Sequence, residues 1–150
     1  MIERVLYSFL RDSEAIRDKV GNRIFAGNAP AGTKGAAIIL KVLSRVRDDK
    51  YTLQNEIGVT ESIVQIDCYD ERPALAYDLF EAVRNRLSGY YGTISHKAAS
   101  GDETTTDIQS AVILREGAIA DAPQDGSDRW TSRHSADFRI IHSQPVPTHE

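Results

Sequence analysis

The chain has 150 residues, of which 18 are basic and 22 acidic, so its formal net charge is −4 at neutral pH. A chain of this length folds most simply as one domain and can bury about 70% of the surface that its unfolded form exposes. Acidic and basic residues are interleaved, whereas a general nucleic-acid binder usually presents a basic face, so specific nucleic-acid binding is not expected. The single cysteine, Cys68, excludes an internal disulfide and suits a reducing compartment.

Membrane insertion and secretion are not expected either. The longest uncharged apolar run covers residues 36–40, far short of the ~20 residues that a membrane-spanning helix needs. An amphipathic pattern begins at Ile2, which leaves no room for a signal peptide before it. The sequence therefore predicts a protein that remains in the cytoplasm where it is made.

The first 35 residues predict two helices and a loop. Apolar side chains recur every three or four positions, as in a helix with one buried face. They are Ile2, Val5, Leu6, Phe9 and Leu10. A second, short helix is expected at residues 14–20, between an N-cap at Ser13 and a stop at Gly21. The glycines and prolines of residues 21–35 predict an ordered turn followed by a loop.

Alternation of apolar and polar residues predicts half-buried strands in the rest of the chain. The stretches concerned are residues 37–45, 61–69, 108–119 and 130–142. In the second stretch, Val64, Ile66 and Cys68 point to one face. Gln65 and Asp67 point to the other, so one face of this strand is expected in the core and one outside it. Residues 90–99 are compatible with one further short extended piece.

A helix is expected directly after the second strand. Pro73 occupies the first helical position, where a missing N–H costs nothing. Asp70 and Glu71 precede it and oppose the positive end of the helix. Gly89 is the expected stop. The apolar stripe that faces the core is Ala76, Leu79, Phe80, Val83 and Leu87.

These elements predict a single-domain α+β fold. We expect about four mainly antiparallel strands, with two main helices on one face, in the order αββαββ. The domain is expected to cover residues 1–142, and residues 143–150 to form a disordered tail.

The second face of this sheet is predicted to be an intersubunit interface. Two helices cover only one face, and the other mixes apolar with charged residues, as protein–protein interfaces do. The candidate interface residues are Ile39, Lys41, Leu43, Arg45, Ile63, Gln65, Tyr69 and Arg139. On the same alternation, Ile113, Ile141 and Asp67 also lie on this face.

Two connections are long for links between successive strands, at residues 46–57 and 117–129. They are charged and poor in apolar anchors, so we expect them to be mobile in the free protein and to become ordered on docking. The candidate docking residues are Asp48, Asp49, Lys50, Asp121, Asp125 and Asp128.

No catalytic, metal-binding or cofactor-binding site is predicted. Asp67 clusters in sequence with Asp70 and Glu71, but strand alternation and helix-end charge already explain all three carboxylates. Cys68 has the parity of the buried face, where a free cysteine acts as a small apolar residue. His134 and His142 are too far apart along one strand, at about 26 Å, to bind one metal ion unaided.

Several segments resemble the tail-completion, or tail-terminator, proteins of long-tailed bacteriophages and prophages. The segments are GNRIF at 21–25, Ala29-Pro30, GVTES at 58–62, VQIDCY at 64–69, the apolar stripe of the helix that follows, and Trp130 with DFRI at 137–140. The similarity covers roughly residues 1–142 and is weakest over 90–128. The family has no catalytic signature, so no functional residue carries over.

The resemblance implies a structural virion protein, assembled in the host cytoplasm, that forms a ring of typically six copies at the head-proximal end of the tail. Such a ring stops tail-tube polymerisation and offers a surface to the head connector. The implied partners are copies of the chain itself, the tail-tube protein and head-connector proteins, and the two charged connections are expected to dock on the tail tube. The alternative is a small α+β module that binds a peptide or ligand, or an enzyme of unrecognised chemistry. A deep apolar pocket in a stable monomer would favour that alternative.

Overall fold

The structure is a computed structural model that describes residues 2–48, 57–98, 100–121 and 131–145. It contains three helices and six strands within these ranges. In chain order they are α1 (Ile2–Arg11), α2 (Glu14–Val20), β1 (Ile24–Ala26), β2 (Ala37–Asp48), β3 (Ile57–Asp70), α3 (Pro73–Leu87), β4 (Gly92–Lys97), β5 (Glu103–Asp121) and β6 (Thr131–Pro145). None of the helices in the described ranges has the length and apolar character required to cross a membrane.

The strands form one mixed sheet in the order β1-β2-β3-β6-β5-β4. The pair β1/β2 is parallel, and the other four pairs are antiparallel. The prediction of about four strands and two helices was therefore wrong. The count of four omitted β1, with three residues, and β4, with six, although β4 coincides with the extended piece considered at residues 90–99; both strands lie at the margins of the sheet. Strands this short show too little alternation to be recognised by period.

The sheet curls around the helices. Helix α3 lies across the central strands β3 and β6, whereas α1 contacts β4 at one margin and β1 and β2 at the other. We call the side that faces the helices the inner face and the opposite side the outer face. The inner face and the helices together form one core, in which Leu6, Phe80 and Phe138 are fully buried.

Helix α3 confirms the prediction made for residues 73–89. It begins at Pro73 and buries the whole predicted apolar stripe. Gly89 has a φ of 76°, a left-handed conformation that favours glycine, and its N–H donates to the carbonyl of Ala111 at 2.7 Å. The Arg86 side chain links α3 to α1, because its Nε donates to the carbonyl of Phe9 at 3.0 Å.

Three bulges change which residues share a face. The register of β2 with β3 shifts between Val42 and Ser44, and that of β5 with β6 shifts at two places, 108–110 and 113–115. Each bulge adds one residue to one strand, so the alternation of the residues beyond it is reversed. Arg45 consequently lies on the inner side, and Ile113 packs against the core. Their predicted place on the outer face was wrong.

The strands also run further into the expected loops than the sequence indicated. Strand β2 continues to Asp48, β3 begins at Ile57 and β5 continues to Asp121, so the ends of both predicted loops are strand. The remaining loop residues, including Asp49, Lys50, Asp125 and Asp128, lie outside the described residues, as does Trp130. At the C-terminal end, β6 runs to Pro145, three residues past the expected domain end at 142.

Candidate intersubunit surface

The outer face of the four central strands brings most of the predicted interface residues together. Ladder pairing places Lys41 beside Gln65 and Ile63 beside Arg139, while Ile39 and Tyr69 flank them on the same side. Leu43 lies at the bulge of β2 and is 51% exposed. Arg45 is separated from this group, because its guanidinium reaches Glu3 of α1 at 3.2 Å.

Asp67 lies at the centre of the outer face and is fully buried. Its Oδ2 is 3.6 Å from Lys41 Nζ and 3.8 Å from Arg133 Nη1, and its Oδ1 accepts a hydrogen bond from the Ser135 hydroxyl. The two cations and the hydroxyl come from the strands on either side, β2 and β6. A carboxylate enclosed in this way is held as an ion pair, so the arrangement does not resemble an open acid–base site.

A second ion pair lies on the same face. Arg115 Nε donates to Asp137 Oδ2 at 2.7 Å, and Asp137 is 6% exposed. Tyr69 lies near the Arg133 guanidinium, at 5.9 Å from the ring centroid. On the outer face, long basic side chains are therefore paired with buried carboxylates. Ile39, on the same face, is almost fully buried. The exposed apolar area at the centre of this face is smaller than the alternation predicted.

The large exposed apolar residues of the sheet lie instead in the second halves of β2 and β5. Leu43 and Val46 are 51% and 64% exposed on β2, and Leu114 and Ile119 are 49% and 46% exposed on β5. Sequence alternation could not show that these side chains are exposed, because their exposure depends on whether another strand pairs with β2 or β5 beside them.

The two charged connections leave the sheet at opposite ends. Asp48 pairs with Val59, which pairs with Ser143 on β6, whereas Asp121 pairs with Thr131 at the start of β6. Ser143 and Thr131 are about 40 Å apart along an extended strand, at ~3.3 Å per residue. The strand ends from which the two predicted docking connections start are therefore far apart on the sheet.

The other candidate groups are occupied by structural contacts. Burial, with a smaller effect of the Asp67 charge, raises the pKa of the Cys68 thiol and keeps it protonated. His134 Nε2 contacts Glu116 Oε2 at 2.8 Å, and its ring packs on Phe80. No group of three or more potential metal ligands occurs within the residues that the structure describes.

His142 is held at the opposite end of β6 from His134. Its Nε2 contacts the Ser62 hydroxyl at 2.8 Å, and its Nδ1 contacts the Ser143 carbonyl at 3.0 Å. Both contacts are satisfied by a neutral imidazole that donates from Nδ1 and accepts at Nε2. Burial lowers the pKa of His142, because the charged form would lose hydration. Ser62 is fully buried, so this pair is closed to a substrate.

A groove of about 770 Å³ runs along α1, between the edge of the sheet at β1 and the edge at β4. Its charged lining consists of Glu3, Arg4, Arg11, Asp12, Lys97 and Glu103, with His96. Three of these residues are acidic and three are basic, whereas Tyr7, Phe25 and Leu40 add an apolar part to the lining. The charged residues set this groove apart from the deep apolar pocket that would favour a small-ligand module.

Comparison with known proteins adds one result on the fold. No protein-family model matches the sequence, and no curated protein sequence matches it. Among solved structures, a chain described as "Virion of native gene transfer agent (GTA) particle" matches with a TM-score of 0.60 and 16% identity, over 95% of each chain. The two chains share a fold. At this level of identity the similarity concerns the fold alone. Because the match covers 95% of each chain, neither chain has a large insertion or extension relative to the other.

Proposed function

We propose that this protein is a structural virion protein of the tail-terminator type, which forms a ring at the head-proximal end of a phage-like tail. The observation that carries the proposal is the fold shared with a chain of a gene transfer agent virion over 95% of both chains. The resemblance of the β3–α3 region to tail terminators supports the same role, since it rests on residues that build the centre of the sheet.

A ring subunit has two neighbours in the ring and one partner on each side of it. The fold offers contact regions that suit this arrangement, because the two charged connections leave opposite ends of the strands. If the strands run roughly along the ring axis, one connection faces the tail tube and the other faces the head connector. We therefore assign one docking loop to each partner, in place of two loops on the tube.

The charged side chains of the outer face act in assembly and stability in this proposal, and not in catalysis. Asp67 is enclosed by Lys41, Arg133 and Ser135, so a substrate has no approach to its oxygens. We expect Asp67→Asn to affect only folding or assembly, because Asp67 has no enzymatic role in this proposal.

The test is an assay of tube length with the cognate tail-tube protein. Tube subunits are polymerised with and without the purified protein, and lengths are measured by electron microscopy. We expect the protein to arrest elongation and to be visible as a ring at one end of each tube. Tubes that continue to lengthen, with no protein bound at their ends, would overturn the proposal.

A further inference from the structure

Two stretches of strand have a margin without a neighbouring strand among the described residues. Strand β1 pairs only with residues 38–40 of β2, so β2 is bare on that side from Lys41 to Asp48. Strand β4 pairs only with residues 103–108 of β5, so β5 is bare beyond Ala111, whose carbonyl accepts from Gly89. Bare margins present unpaired backbone N–H and C=O groups and readily accept another strand. We call them the β2 margin (41–48) and the β5 margin (112–121).

The two margins complement each other in charge and in apolar character. Residues 41–48 contain three basic residues and one acidic residue, while residues 112–121 contain one basic and two acidic residues. Each margin also carries exposed apolar side chains, Val46 on one and Ile119 on the other. A margin that is merely solvated is usually kept short. These margins are eight and ten residues long, and one chain carries both.

The strand directions allow the margins to pair. Three antiparallel steps, from β2 to β3, β6 and β5, make β2 and β5 antiparallel to each other. A second copy that is related by rotation about the ring axis keeps the sense of each strand along that axis. Its β2 margin would therefore meet the β5 margin of the first copy as an antiparallel ladder. Because the two margins differ, the contact is head-to-tail and can close into a ring.

Sheet geometry selects the register. Val46 pairs with Glu61, which pairs with Ile141, and Gly117 pairs with Ser135, six residues away from Ile141 on β6. These six residues correspond to about 20 Å along the strand, and the repeat from β2 of one copy to β2 of the next is four strand spacings, or about 19 Å across the sheet. Pairing Val46 with Gly117 of the next copy thus tilts the strands by about 45°, close to the tilt of closed sheets.

The same register satisfies the side chains. Val46 and Gly117 both lie on the outer face, so the inner and outer faces continue across the junction. Arg47 and Glu116 both lie on the inner side and come directly opposite each other, where opposite charges stabilise a sheet. We propose that the β2 margin of one subunit pairs with the β5 margin of the next copy, with Val46 opposite Gly117. This junction rests on the proposed ring function, and it moves the main subunit contact from the outer face to the margins.

The test is a disulfide cross-link in the full-length protein. The variant carries Val46→Cys and Gly117→Cys, whose Cβ atoms would lie about 5 Å apart across the junction. Gly117 tolerates the change, because a Cβ there meets no atom within 4 Å. Cys68 does not interfere, since it is the only native cysteine and is fully buried. The matched control carries Val46→Cys and Ala118→Cys, because Ala118 has the opposite parity to Gly117.

Mild oxidation of the first variant should give a ladder of covalent oligomers, and the control should give at most a trace. Light scattering before oxidation reports assembly independently of the cross-link. Assembled protein without the ladder, or with equal ladders in both variants, overturns the junction but leaves the ring function standing. Protein that remains monomeric at every concentration, alone and with tail tubes, overturns both.

A charge cycle gives a second measurement. Arg47→Glu should weaken each junction about two- to fivefold, because it places like charges opposite each other. The combination of Arg47→Glu with Glu116→Arg should recover assembly. Recovery in the double variant would not occur if the two residues were distant. Folding of the variants is checked by their melting temperatures, since Glu116 also contacts His134.

Discussion

The Asp67 ion pairs give the most direct test of what holds the outer face together. Asp67→Asn removes the negative charge but keeps a side-chain oxygen that can accept from the Ser135 hydroxyl. The change therefore isolates the two ion pairs, to Lys41 at 3.6 Å and to Arg133 at 3.8 Å.

The expected loss follows from distance and exposure. At an effective dielectric constant of 20, each pair has a gross attraction of about 4 kcal/mol. The desolvation of a fully buried carboxylate offsets much of this gain. Removing one partner of a fully buried pair costs about 3–5 kcal/mol, but the side chains of Lys41 and Arg133 are 36% and 21% exposed and water screens them. We therefore expect Asp67→Asn to lower the free energy of unfolding by about 2 kcal/mol.

The assay is equilibrium unfolding in urea, with the slope m compared between variants so that a shift of the midpoint reports stability. The thermal midpoint should fall by about 6 °C, at roughly 3 °C per kcal/mol for a chain of this size. The control is Glu61→Gln, on the same face of β3, where no ion pair occurs among the described residues. A stability equal to or above that of the unaltered protein would refute the conclusion that these pairs hold the face together.

Three further predictions concern pH, assembly and the connections. Burial lowers the pKa of folded His142 below its unfolded value of ~6.5, so the contribution of His142 to stability is complete above about pH 6.5 and is lost as the pH falls through the folded pKa. Between pH 7 and 5, the free energy of unfolding in urea should therefore fall more steeply for the unaltered protein than for His142→Gln, and equal slopes against pH would contradict this. Leu43→Asp should weaken assembly while the fold survives, because Leu43 lies in the β2 margin and is 51% exposed. Leu75→Asp on α3 should leave assembly unchanged, and light scattering that shows equal masses for both variants would refute the assignment. Deleting residues 122–127 should abolish tail capping with little change in melting temperature, and an unfolded variant or tails of normal length would show that the connection is wrongly assigned.

The parts of the fold that were predictable are those in which burial imposes a period. Residues at 3.6-residue spacing, such as Leu79 and Val83, gave α3, and strict alternation gave the buried parity of Val64 and Ile66 on β3. Both patterns arise because one side of the element must avoid water.

The missed elements depend on contacts that local sequence does not encode. Strand β1 has three residues and is fixed by its parallel pairing with β2, helped by the Arg23 Nε–Ala36 carbonyl hydrogen bond at 2.7 Å. The bulges in β2 and β5 leave no mark on the apolar pattern until a partner strand defines the register. Residues 114–120 of β5 are all exposed, so no burial signal shows where that strand ends.

The candidate site was predicted as one face of the sheet, and the bulges changed which residues lie on that face. Most members of the outer face were correctly grouped, because they precede the bulge of β2 or lie on the unbroken strands β3 and β6. Arg45 follows the bulge and was placed on the wrong side. The exposed Val46 and Ile119 were not singled out, since an apolar residue in a strand is ordinarily expected in the core.

Energetics also favour the margins over the outer face for the proposed contact between copies. The buried carboxylates Asp67 and Asp137 already have cationic partners within the subunit. A neighbour that covered this face would remove water from the Lys41 and Arg115 side chains and would have to replace that hydration with new contacts. The margins are in the opposite situation, because their backbone groups gain hydrogen bonds and their exposed apolar side chains lose contact with water. The proposed head-to-tail ladder would therefore gain free energy by exchanging water for strand partners along these margins, and it would leave the ion pairs of the outer face intact.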